Sequence, residues 1–231
     1  MRKVLILLVW GVTMALGGVA SAQNNPVVVE LYTSQGCSSC PPADEMLHDL
    51  AGRDGVIALA LHVDYWDYIG WADSFADPAY TARQQRYGAA AGHRTIYTPQ
   101  FIIGGLDHVV GAKAMDVADA IRANAARPSG VTLQISRSGN RLQISGAATQ
   151  RAAMVVQVVR YTPQESVDIH RGENAGERIT YANIVNDWRA VGEWDGRAPL
   201  DMQANVAGNA PIVVIVQERG PGRILAAAQL R

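Results

Sequence analysis

The chain has 231 residues, 48% of them hydrophobic and 18% charged, with 20 Lys and Arg against 21 Asp and Glu and a formal net charge of −1. That balance argues against a nucleic-acid or anionic-membrane partner, both of which select strongly basic surfaces. Both cysteines, Cys37 and Cys40, fall in one short motif, so no disulfide is left to staple distant segments and stability rests on ordinary cores.

The first element is a leader. Arg2 and Lys3 precede an apolar run from Val4 to Leu16, and Ala20-Ser21-Ala22 supplies small residues at a cleavage site. This pattern predicts a secretory signal peptide over residues 1–22, a mature chain starting at Gln23, and a periplasmic or secreted location. Removing Arg2 and Lys3 leaves 18 basic against 21 acidic residues, a charge of about −3. No later segment is long and apolar enough to span a bilayer, so no stable membrane insertion is expected after cleavage.

From Val27 onward, strand-like and helix-like runs alternate, as α/β units do. Val27 to Tyr32 reads as a buried strand containing Glu30, and Val56 to Val63 as a second. Between them Pro41 and Pro42 suit the first turn of a helix, where backbone donors have no partners. Asp77-Pro78 is a cap and first-position pair for a helix to about Ala91, with Arg83 and Arg86 expected on its solvent face. Phe101 to Ile103, Gly104-Gly105 and Leu106 to Val110 predict a hairpin, followed by a helix from about Met115 to Ala126.

After Pro128-Ser129-Gly130 the pattern changes. Val131 to Ser136, Arg141 to Ser145 and Val155 to Arg160 mostly alternate apolar and polar residues, and Ser138-Gly139-Asn140 is a hairpin turn signal. Pro211 to Val216 and Arg223 to Ala228 flank Gly220-Pro221-Gly222 in the same way. The expected organisation is therefore an α/β domain over residues 23–128 and an antiparallel β domain over 129–231.

Cys37-Ser38-Ser39-Cys40 lies at a strand-to-helix junction. Two thiols at this spacing can close a disulfide within one turn of chain, and a helix N-terminus favours thiolate over thiol. Strand, Cys-x-x-Cys, helix, strand, helix, then Thr98-Pro99 leading into a hairpin and a last helix resembles the thioredoxin fold over about residues 26–127. The stretch from Val29 to Asp44, with its Gly-Cys-Ser-Ser-Cys-Pro-Pro-Ala-Asp core, resembles a secreted bacterial thioredoxin-like family of unassigned function.

The resemblance implies roles. Cys37 is the attacking thiol and the more exposed of the two, and Cys40 the buried resolving thiol. Pro99 matches a proline that is usually cis in this fold, leaving the backbone of Thr98 as an edge for a substrate peptide. Glu30 matches, one residue further from the first cysteine than usual, a buried acid that exchanges protons with the resolving thiol; an outward-facing Glu is the alternative. The implied activity is exported thiol-disulfide exchange on protein or small-thiol partners, without a cofactor.

Two other classes stay open. Cys37 and Cys40 supply half of a tetrahedral metal site, which His48, His62, His93 or His108 can complete for zinc, and Cu(I) also favours thiolates. An inert disulfide on a binding module is the third. The cluster His62-Val63-Asp64-Tyr65-Trp66-Asp67 walls the cysteines or simply covers core, and the polar loop Arg171 to Glu177, next to His170, contacts a partner or the first domain, or is a solvated hairpin.

Overall fold

The computed structural model describes residues 25–231, so the leader expected at 1–22 lies outside the described residues. Chain order is β1 (Val27–Thr33), α1 (Pro41–Ala51), β2 (Val56–His62), a 3-10 turn (Asp67–Ile69), α2 (Pro78–Ala90), β3 (Gln100–Ile103), β4 (Asp107–Val110) and α3 (Ala114–Ala126). Then follow β5 (Val131–Ser138), β6 (Arg141–Ala148), β7 (Met154–Asp168), β8 (Arg178–Trp194), β9 (Leu200–Asn205), β10 (Ile212–Glu218) and β11 (Ile224–Leu230).

Every residue of β1 and β2 is buried, which is why both read as apolar runs rather than alternations. The two pair in parallel, Val27 against Val56 through Thr33 against His62, and β3 pairs antiparallel with the other edge of β1. α1 carries Pro41 and Pro42 in its first turn, and α2 begins with Asp77 accepting the Ala79 N–H at 2.7 Å ahead of Pro78.

One large mixed sheet has the strand order β11-β10-β7-β8-β2-β1-β3-β4, and β5-β6-β9 form a smaller antiparallel sheet. The large sheet takes strands from both sides of residue 128: β8 meets β2 in parallel at Ala60 and Ile184, with Asn183 donating to the Ala58 carbonyl at 2.8 Å. The architecture is thus mixed α/β and rich in strand.

Side-chain alternation sorts the core into layers. Val28, Tyr32, Leu59 and Leu61 point toward α2, packing with Tyr80 and Tyr87. Val27, Val29, Leu31, Ala58 and Ala60 point the other way, under Leu47 of α1 and Ile121 of α3. Along that second face the smaller sheet packs Leu142 and Ile144 against Val156, Val158 and Val214.

Two strands carry no clear sequence signal. β8 contains Asn183, Asn186, Asp187 and Gly192, poor strand formers, yet it pairs with β7 from Met154 against Trp194 to Asp168 against Arg178. Asn183 sits at φ 47, at the step opposite Pro163 where the β7–β8 pairing skips one pair while keeping its register. A short β9 is specified by its pairing to β6. One expectation is corrected outright: Arg86 is exposed, but Arg83 is buried beneath Trp188, its guanidinium carbon 3.8 Å from the ring centroid.

Candidate functional site

β1 ends at Thr33 and α1 begins at Pro41, leaving a seven-residue loop that holds both cysteines. Short backbone bonds shape it: Cys37 N–H donates to Ser34 O and Cys40 N–H to Cys37 O, each at 3.1 Å. Cys40 is the N-cap residue of α1, and its carbonyl accepts from Ala43 and Asp44. Cys37 and Cys40 are joined as a disulfide. Ser38 and Ser39 are exposed, whereas both cysteines have 0% of their surface accessible. The expected contrast of an open Cys37 and a closed Cys40 is therefore absent, because two other loops pack around this one.

The first wall is the segment after β2. A Cβ placed on Gly36 would lie 3.1 Å from Ile69 Cδ1 and 3.2 Å from Trp66 Cβ, so glycine is what lets the cysteine loop come this close. Trp66 Nε1 also donates to Thr98 Oγ1 at 2.7 Å, tying the wall to the next element. The Thr98–Pro99 bond is cis. Tyr32 pairs with Gln100, and one further step of that antiparallel register sets Pro99 opposite Thr33, at the root of the cysteine loop.

The second wall arrives from far along the chain. The connection between β7 and β8 closes on itself, with Ile169 N–H donating to Glu177 O at 2.9 Å and Gly176 N–H to Ile169 O at 2.8 Å. Its Asn174 side chain donates to Gln35 O at 2.8 Å and Cys37 O at 3.0 Å. Beside it the Glu173 carboxylate accepts from Ser38 N–H at 3.1 Å and from Ser38 Oγ at 2.6 Å. Both Ser38 contacts hold the Glu173 carboxyl below its usual range. Of the readings of residues 171–177, contact with the first half of the chain is the observed one.

Glu30 is not part of this assembly. On β1 it shares the α2 face with Val28 and Tyr32, the face opposite α1. There its carboxylate takes Arg83 Nε at 2.7 Å and Nη2 at 2.9 Å, Tyr32 Oη at 2.9 Å and Tyr87 Oη at 2.8 Å. A fully bonded carboxylate on the far side of a sheet has no route to Cys40. Burial, with the Glu30 charge next, pushes the Tyr87 hydroxyl up.

The acid that does lie under the cysteines is Asp44. It stands four residues after Cys40, so the two share one face of α1, and it is 3% exposed. Neither carboxyl oxygen has a hydrogen-bond partner, and the same is true of Thr33 Oγ1, His62 Nε2 and the Tyr181 hydroxyl, all buried. These groups gather at the C-terminal ends of β1 and β2 on the α1 side, the His62 and Tyr181 ring centroids 4.9 Å apart. Buried polar atoms are almost always paired, by protein or by ordered water, and these four side chains form one buried polar patch at the root of the cysteine loop.

Burial raises the Asp44 carboxyl from 3.8 to about 7; the nearby His62 ring and the Thr33 hydroxyl, which stands close without completing a bond, oppose the rise. His62 is held from behind, its Nδ1 2.7 Å from Asp73 Oδ2. A carboxylate can only accept, so Nδ1 carries the proton and Nε2 is the free position. Asp73 Oδ2 also accepts the Gln35 N–H at 2.8 Å, linking the buried cluster to the cysteine loop. The sequence signal for Asp44 is an acid on the apolar stripe formed by Ala43, Leu47 and Leu50.

The four histidines named as metal ligands do not gather at the cysteines: His48 is exposed, His62 is held by Asp73, and His108 lies beside Tyr87 on the far face with the exposed His93 ring 5.7 Å from it. Among the described residues no three His, Cys, Asp or Glu are gathered for a metal, and no helix is long and apolar enough to cross a membrane. A cleft of about 430 Å³ opens at the other end of β1, between Asn25, Arg53, Arg127 and Arg223, and shares no residue with the cysteine site.

Residues 28–217 match a family model described as a protein of unknown function, DUF1223. A crystal structure of a protein from Agrobacterium tumefaciens is similar at 34% identity and a TM-score of 0.79, covering 90% of this chain and 96% of that one. HBP35 of Porphyromonas gingivalis shares the fold at 13% identity and a TM-score of 0.62, covering 90% of this chain and 75% of its own. No curated protein matches.

Proposed function

The chain belongs to the DUF1223 family of proteins of unknown function, and on that premise we propose that it is an exported thiol-disulfide oxidoreductase acting through Cys37 and Cys40 on protein or small-thiol partners. The observation that carries the reading is the closed Cys37–Cys40 pair at the N-terminus of α1 with a buried, unpaired carboxyl, Asp44, one turn beyond Cys40 on the same helix face. The cis Thr98–Pro99 bond opposite the root of the loop adds to the likeness to thioredoxin-type proteins.

The exchange runs in two steps. In the reduced protein the Cys37 thiolate attacks one sulfur of a partner disulfide; that bond breaks, a Cys37–partner bond forms, and the leaving sulfur departs as thiolate and takes up a proton. Cys40 then passes its proton to Asp44 and attacks Cys37 Sγ; the Cys37–Cys40 bond forms, the Cys37–partner bond breaks, and the second partner sulfur departs as thiolate and takes up a proton. The protein ends oxidised and the partner reduced by two electrons. The reverse sequence oxidises a partner dithiol, and direction follows the pair's potential relative to the compartment, with 30 mV amounting to about 1.4 kcal/mol.

Asp44 takes the acid–base role expected of Glu30. A carboxyl titrating at about 7 exchanges protons in both directions near neutral pH, and an unpaired one is free to do so. Trp66 and the Thr98 edge form the surface on which an extended partner segment docks.

The test is trapping. C40S should accumulate mixed disulfides with exported partners through Cys37, and C37S should accumulate none. A purified protein that instead holds copper or zinc, lost on either substitution, with no trapped partner, replaces this reading by metal binding. A wild-type disulfide that strong dithiols leave intact replaces it by an inert binding module.

A further inference from the structure

The β7–β8 loop meets the cysteine loop through four hydrogen bonds, and all four fall within two residues of Cys37. Asn174 fills the carbonyls of Gln35 and Cys37; Glu173 takes the N–H and hydroxyl of Ser38. The loop is braced within itself by Ala175 N–H to Gly172 O and Glu177 N–H to Asn174 O. It also rests on the first wall, where a Cβ on Gly172 would lie 3.3 Å from Trp71 Cβ and the His170 and Trp71 rings meet edge-on at 5.9 Å.

We propose that the 169–177 loop is a cover over the attacking cysteine and that Glu173 is the positioning residue that holds it closed and keeps Cys37 out of the thiolate state. Glu173 acts on the cysteine loop in two ways. Its negative charge, bonded to Ser38 next to Cys37 in the chain, repels a second negative charge on the neighbouring sulfur. It also fixes Ser38 through its N–H and hydroxyl, which leaves Ser39 Oγ, 3.4 Å from the Cys37 sulfur, as the hydroxyl beside that atom. Cys37, with none of its surface accessible, waits until a partner displaces the carboxylate.

The partner chemistry follows from what Glu173 vacates. The displacing segment has to offer Ser38 an acceptor, so a peptide with a backbone carbonyl or carboxylate beside its cysteine fits, and a small uncharged thiol reagent gains nothing from displacement. Free thiols are thereby kept from idle reaction while a docking peptide is admitted.

The inference rests on the thiol-disulfide reading, but its test does not need a partner. The probes are dithiothreitol reduction of the wild-type disulfide and iodoacetamide capture of Cys37 in the C40S background at pH 7. E173A should raise both rates more than about threefold, because the cover opens and thiolate becomes more populated. E173Q keeps an acceptor oxygen but no charge, and should raise capture. Glu173 is on the surface, so these variants fold. If either E173A rate stays within about threefold of its parent, the cover is overturned. Loss of partner trapping with these increases intact would instead overturn the oxidoreductase reading alone.

Discussion

Glu30 and Arg83 form a buried ion pair, Nε to Oε2 at 2.7 Å, joining β1 to α2 on the sheet face away from the cysteines. Gln217 and Gln157 complete the network, Arg83 Nη2 reaching Gln217 Oε1 at 3.2 Å and Gln157 Nε2 the same oxygen at 2.9 Å. β10 and β7 are thereby tied to the first half of the chain by one arginine.

Breaking that pair is a stability experiment. R83M leaves the Glu30 charge buried without a cation and is expected to cost about 3–5 kcal/mol, read as a lower urea midpoint. E30Q keeps one acceptor oxygen, enough for Tyr32 or Tyr87 but not for both, and loses the charge pairing; folded E30Q/C40S protein should trap partners as C40S does. Loss of trapping there would return Glu30 to the reaction.

Asp44 gives a pH-dependent signature. Its folded value of about 7 lies above the unfolded 3.8, so its contribution to stability is complete below about pH 4 and is lost as pH rises through 7. The full loss is on the order of 4 kcal/mol. D44N, which never ionises, should therefore unfold at higher denaturant than wild type at pH 8, with the gap narrowing at pH 5. The same variant should slow resolution of the Cys37 mixed disulfide and remove its dependence on pH near 7. Equal unfolding midpoints at pH 8 would mean that Asp44 carries no buried charge.

The Trp66–Thr98 bond tests the docking edge. W66F keeps the ring but removes the Nε1 donor, at a cost of about 1 kcal/mol in stability. Reaction with peptide disulfides should slow severalfold while reaction with small disulfides stays the same. Equal effects on both would place Trp66 in the fold and not in recognition.

Gly36 tests the first wall. G36A sets a methyl at 3.1 to 3.2 Å from Ile69 and Trp66, so the segment after β2 has to shift, costing about 1–3 kcal/mol. Thermal unfolding reads it. G52A is the control, since Gly52 has φ −89 and a Cβ there would meet only Asp49 O at 3.9 Å, so no wall has to shift.

Local chemistry made much of the first half legible. Proline pairs and an aspartate cap start α1 and α2 close to where Pro41 and Asp77-Pro78 predict, and the apolar runs at 27–32 and 56–63 are β1 and β2. β8 was illegible because its asparagines and glycine oppose strand formation, and only the long pairing with β7 overrides them. Arg83 misled for a related reason: an arginine on a helix is normally solvated, and the carboxylate that makes burial possible lies 53 positions earlier, in another element.

The sequence alone determined that Cys37 and Cys40 are close enough to join and that they stand at a strand-to-helix junction, because a spacing of three and the two prolines act within a few residues. Which acid stands beneath them, and what covers them, was decided only by tertiary structure. Strand alternation turns Glu30 to the far face, while the helix turn brings Asp44 to the near one. Glu173 reaches Ser38 across 135 positions only because β7 and β8 join the same sheet as β1 and β2, and no short-range pattern encodes such a contact.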